Sequence, residues 1–182
     1  MKRLTAPRIA SSALLAATLL AVSPAAIAAP PVNGGNPPDF PPGTIVPAGE
    51  GCSFRLLIEA TNSNATIRIF KDKNGDVVRT ITAGRGYTLT YSRLDANDNP
   101  VKSLSIRPTG SVQKETTAPD GTKTITATGS NGLVLFSTDL PAEAAPSAVQ
   151  YNGRIVYTIG PDGTFTLLST SGTRTDICAA LT

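Results

Sequence analysis

The sequence predicts an all-β protein: an antiparallel meander of about ten strands forming a barrel or sandwich, with a short C-terminal helical turn. Three observations predict it. Short runs alternate apolar and polar residues with a period of two, the repeat of a half-buried strand. Asn-Gly and Asp-Gly pairs punctuate those runs, as hairpin turns require. Helical periodicity is confined to two short pieces, residues 142–149, which Pro146 interrupts, and residues 176–181, where Thr175 or Asp176 can cap one closing turn.

The strands follow in order. Phe54, Leu56, Ile58 and Ala60 alternate with Arg55, Leu57 and Glu59, and Tyr87, Leu89 and Tyr91 alternate with Thr88 and Thr90. The same pattern marks residues 66–70, 77–82, 102–107, 111–116, 122–128, 154–159 and 164–168. Residues 133–137 differ, because Leu133-Val134-Leu135-Phe136 is continuous rather than alternating; they are the candidate for the most buried strand. Asn74-Gly75 reads as a type I′ turn, and Asp120-Gly121, Asn152-Gly153 and Asp162-Gly163 repeat the device. The tetrapeptide Pro-Asp-Gly-Thr occurs at 119–122 and 161–164, each time before a Thr-rich strand ending in Gly129 or Gly172, which reads as one hairpin solution used twice.

Ahead of this body lies an export tag. Lys2, Arg3 and Arg8 form a positive front, Ile9 to Val22 an apolar run, and Ala26-Ile27-Ala28 an A-x-A cleavage site. The organisation is therefore a signal peptide at 1–28, a Pro/Gly-rich flexible leader at 29–50 and a β domain at 51–182. The leader holds seven prolines and four glycines in 22 positions, too little apolar surface to offset its ordering entropy. No later segment approaches the roughly 20 apolar residues of a membrane helix, so no membrane association is expected after cleavage, and the expected location is secreted and extracellular.

Charge narrows the partners. Of 16 Lys and Arg, three fall in the tag, leaving 13 against 13 Asp and Glu. A neutral mature chain has no long-range field to gather phosphates, and nucleic acid is not expected as a partner.

The two cysteines, Cys52 and Cys178, stand at the ends of the patterned region. In an oxidising compartment such a pair predicts a disulfide, the alternative being two buried thiols. With a sequence separation of 126, the chain-entropy model gives a bridge about 5 kcal/mol.

Catalytic chemistry is narrowed by absence. The chain has no histidine, which excludes Ser-His-Asp and Cys-His nucleophiles and His-ligated zinc. Ser111 and Lys114 match an S-x-x-K spacing, but three residues along a strand place them on opposite faces. Asp72 to Asp76, and Asp95, Asn97 and Asn99, set oxygen ligands at alternate positions as calcium loops do; turn chemistry asks for the same residues. Glu59, Asp139 and Glu143 are the candidates for a carboxylate pair, and nothing in the sequence brings two of them together. Asn64-Ala65-Thr66 is a glycosylation sequon by pattern and reads as a loop entering a strand. No catalytic, cofactor or metal residue is assigned.

The stretches 151–182 and 77–91 resemble segments of small secreted proteins of high-GC Gram-positive bacteria, a group without assigned activity. That resemblance covers most of residues 51–182 and implies an exported single-domain protein framed by Cys52 and Cys178. The expected function is a non-enzymatic extracellular interaction or structural module with an unknown extracellular partner. One alternative is a ligand-binding barrel for a small apolar molecule, with Phe54, Ile58, Tyr87, Leu89, Phe136, Tyr157 and Phe165 lining its cavity or simply forming core. A second alternative is a carboxylate-based hydrolase or isomerase.

Overall fold

The computed structural model describes residues 27–28, 32–33, 43–61 and 64–182; the rest of the predicted tag and leader lies outside them. Twelve strands and one helix follow in chain order: β1 Ile27–Ala28, β2 Val32–Asn33, β3 Thr44–Val46, β4 Leu56–Thr61, β5 Ala65–Lys71, β6 Val77–Gly84, β7 Thr88–Leu94, β8 Pro100–Ile106, β9 Ser111–Thr117, β10 Lys123–Leu135, β11 Ser147–Ile159, β12 Phe165–Asp176 and α1 Ile177–Leu181. All pairing within the ladders is antiparallel, in two sheets. The larger runs β5-β6-β9-β10-β11-β12, with β1 and β2 both on the outer edge of β5; the smaller runs β3-β4-β7-β8. Neither strand order closes on itself, so the all-β class holds as a two-sheet, sandwich-like arrangement.

Four hairpins share one turn geometry, and it is not type I′. At 72–76, Gly75 N donates to Asp72 O at 3.1 Å and Asp72 N to Asp76 O at 2.9 Å; equivalent pairs occur at 95–99, 118–122 and 160–164. This is the three-residue loop, a type I turn followed by one left-handed residue. Gly75, Gly121 and Gly163 fill the left-handed place, and Asp98, with φ 65°, fills the fourth. Turn residues were legible; the turn type was not, because Asn-Gly suits either.

Several expected boundaries move. Asn152-Gly153 is no turn but the middle of β11, and Gly129 and Gly172 do not end strands. Residues 122–128 and 133–137 accordingly join as one 13-residue strand, β10. These glycines stand in a single transverse row, Gly84–Ser111–Gly129–Gly153–Gly172, on paired positions of five neighbouring strands. A Cβ on Gly129 would collide with the Gly110 carbonyl, and one on Gly153 with that of Ser171. Glycine sits there because the adjacent backbone does.

The row also divides the large sheet. On the near side, Ile125, Ala127, Ile155 and Tyr157 are buried on one face, with Phe165 and Leu167 against them; Tyr151, Leu133 and Val149 join this cluster from beyond the row. On the far side the opposite face is sealed as well: Val134 and Ala148 pack with Val46, Leu56, Ile58 and Tyr91 of the small sheet and with Ile177 and Leu181 of α1. Two-sided cover explains why Leu133 to Phe136 reads as a continuous apolar run. The most buried strand is nevertheless β11, with six buried residues of 13 against five of 13 in β10.

Residues 142–149 form no helix. After Pro141 and Pro146 interrupt the segment, β11 begins at Ser147. The body also starts before residue 51. Val46 is 1% exposed in the core, β3 pairs with β4, and the Glu50 carboxylate accepts from Ser137 N at 2.9 Å, so residues 44–50 belong to the fold and not to a leader. At the other end the expected closing turn is α1, capped by Asp176, whose side chain accepts from Ala179 N at 2.9 Å. It carries Cys178 to Cys52, and the disulfide joins them at a Cα separation of 5.3 Å.

Candidate functional site

Beyond the far half, the large sheet presents an uncovered face opposite the Ile125–Tyr157 core. The ladder registers place its outward side chains in three rows. The first is Phe70, Arg79, Thr116, Thr124, Thr158 and Thr166; the second is Arg68, Ile81, Lys114, Thr126, Val156 and Ser169; the third is Thr66, Ala83, Val112, Thr128, Arg154 and Ser171. Threonine dominates because its β-branched side chain suits a pleated surface while its hydroxyl tolerates water. Four positions are cationic and none is acidic. Arg68, Lys114 and Arg154 have no carboxylate partner among the described residues.

A groove of about 400 Å³ lies within this face, lined by Thr66, Arg68, Phe70, Ile81 and Ala83. Beside it the Arg79 guanidinium stacks over the Phe70 ring, 3.9 Å from its centroid, and Arg79 Nε is buried with no hydrogen-bond partner among the described residues. That atom is shut off from solvent, and leaving it unpaired there costs free energy. Cations held without counter-charges on a hydroxyl-rich sheet can pair with anions and hydrogen-bond to hydroxyls. A second concavity, about 390 Å³, surrounds the disulfide between Gly51, Ser53, Pro146, Ser147 and Asp176. It gathers no comparable set of charges.

The residues singled out in the sequence lie elsewhere. Phe54, Ile58, Leu89 and Phe136 pack in or against the core between the sheets, whereas Tyr157 and Phe165 belong to the other cluster, their rings stacked at 4.8 Å. Tyr87 is half-buried at the start of the hairpin and belongs to neither cluster. Ser111 Oγ donates to Asn131 Oδ1 at 2.6 Å and so is tied to β10 rather than to Lys114. Asp139 accepts from Phe136 N at 2.8 Å, closing a turn, and Glu59 and Glu143 are exposed on separate elements.

At 95–99 the Asp95 carboxylate accepts from Asn97 N and Asn99 N, both at 2.8 Å. Those donors, Asn99 first, hold its pKa below the ordinary carboxylate value. Asp98 pairs instead with Arg55 across the small sheet. The oxygens serve the turn, and among the described residues no group of three or more acidic or cysteine side chains converges.

The buried polar groups form a structural chain at the far half. Tyr91 Oη donates to Gln150 Oε1 at 3.0 Å, and Gln150 Nε2 to Ser130 Oγ at 3.1 Å. Burial pushes the Tyr91 phenol well above its usual range, so it stays a donor. Sequence reasoning missed the outer face entirely. Period two marked Thr124, Thr126 and Thr128 as neighbours on one side of one strand, but no local signal says which other strands lie beside them.

Comparison with family models, with curated proteins and with solved structures returns no match. The class that fold and site define is an all-β, two-sheet protein stapled by one disulfide and carrying a cationic, hydroxyl-rich sheet face.

Proposed function

We propose that this protein is an exported, non-enzymatic β module that works outside the cytoplasm by binding a partner across the outer face of its large sheet. The observation that carries the reading is the asymmetry of cover: the far half is sealed by a second sheet and a helix, while the near half leaves three rows of side chains with no second sheet over them, four of them cations and none a carboxylate, with Val156 alone buried. A disulfide between distant residues supports an oxidising destination. The barrel alternative fares less well, since its expected lining residues divide between two cores and pack on their neighbours.

The test expresses the full chain in a bacterial host and asks two questions. Sequencing of protein from the medium should start at Ala29; recovery only from the cytosol with residues 1–28 intact overturns export. Washed envelope material should retain the wild type and release Thr126→Glu, which plants a carboxylate in the middle of the face. Equal retention of both overturns the assignment of the face.

A further inference from the structure

Building on the binding face just proposed, we infer that its partner is a carboxylated polysaccharide laid across strands β5 to β11. Charge comes first. Arg68 and Lys114 share one row two strands apart, about 10 Å, and Arg154 lies two strands beyond Lys114 in the next row, so cations recur along a path about 19 Å long. The mature chain is neutral overall, which makes this concentration local and its partner an anion that must come close. Three of the four cations are arginines, whose planar fork matches a carboxylate with two parallel hydrogen bonds.

The rest of the face selects among anions. Threonine hydroxyls between the cations both donate and accept, as sugar hydroxyls do. An open, shallow strip suits a polymer better than a small molecule, which would need enclosure. A protein partner is disfavoured, because such interfaces are anchored by Trp, Tyr and Arg with Thr under-represented, and this chain has no tryptophan. Single-stranded nucleic acid needs free aromatic platforms; the one ring on the face, Phe70, already carries Arg79.

The experiment measures affinity of the exported protein, purified from medium, for polygalacturonate, with dextran, duplex DNA and phosphatidylglycerol vesicles as comparators. Polygalacturonate should bind at low salt and weaken as salt is raised, while dextran should not bind. Arg68→Glu combined with Lys114→Glu should weaken polygalacturonate binding about tenfold, with the urea midpoint unchanged as proof of folding. Equal binding of dextran, preference for DNA or vesicles, or undiminished affinity in the double variant overturns the inference. If polygalacturonate fails to bind while Thr126→Glu still loses envelope retention, only the carbohydrate assignment falls; if both fail, the binding-face reading falls with it.

Discussion

Three strands of the large sheet, β10, β11 and β12, run through both of its halves and meet different fates in each. In the far half, β10 and β11 are covered on both faces, Leu133, Val134 and Leu135 run apolar without alternation, and two of the polar groups that enter, Gln150 and Ser130, bond to Tyr91 and to each other, while Asn131 Nδ2 is buried without a partner among the described residues. In the near half β10 alternates, apolar side inward and threonine outward, while β11 turns Arg154, Val156 and Thr158 outward, of which Val156 is buried. Stability is therefore concentrated where the second sheet, α1 and the disulfide converge, and the near face is left free for other use. The difference teaches that exposure of the near face follows from where the small sheet ends, not from any weakness of the strands that form it.

Substitutions can break or sharpen this contrast. The largest effect should come from Cys52→Ser with Cys178→Ser, which releases α1 from the chain's opening segment and should cost about 4 kcal/mol in a denaturant titration. Next comes the boundary itself: Gly153→Ala forces a Cβ against the Ser171 carbonyl, and we expect about 3 kcal/mol by the same titration. Within the far half, Tyr91→Phe leaves Gln150 Oε1 buried without its donor and should lower stability by about 2 kcal/mol. On the near face Thr126→Ala should move the midpoint by less than about 0.5 kcal/mol; an effect as large as that of Tyr91→Phe would erase the distinction between the halves.

The smallest effect concerns acid. Asp95, Asp120 and Asp162 each accept hydrogen bonds from their own turns, chiefly from Asn99 N, Thr122 N and Thr164 N, which hold their folded pKa values below the ordinary carboxylate range. A depressed folded value means that the contribution is fully present above the unfolded pKa and is lost as pH falls through the folded one. Unfolding midpoints followed from about pH 5 down to pH 2 should therefore drop for the wild type and drop less for Asp95→Asn.

How much of this was legible depends on whether a residue's meaning is local. Alternation at 54–60 and 87–91 found β4 and β7, the Asp176 cap found α1, and the cysteine pair found the bridge, because each signal involves neighbours in sequence or the chemistry of a compartment. Gly129 and Gly172 read in the sequence as strand ends and Gly153 as a turn residue, and none of them is. A glycine that admits a neighbouring backbone looks the same in sequence as one that turns a chain, and only the partner strand distinguishes them. Val46 was lost for a related reason: two β-branched residues in a proline-rich stretch carry no period, yet β4 recruits them. The cationic face was beyond reach, since Arg68, Lys114 and Arg154 lie on three strands that become companions only through β6, β9 and β10.

The aligned glycines have one consequence for how the sheet finds its pairing. Sliding β10, β11 or β12 by a single position would carry a side chain into a gap that Gly129, Gly153 or Gly172 now fills with hydrogen alone, so the crease acts as a vernier, penalising those misalignments together and leaving a single setting in which the three strands agree.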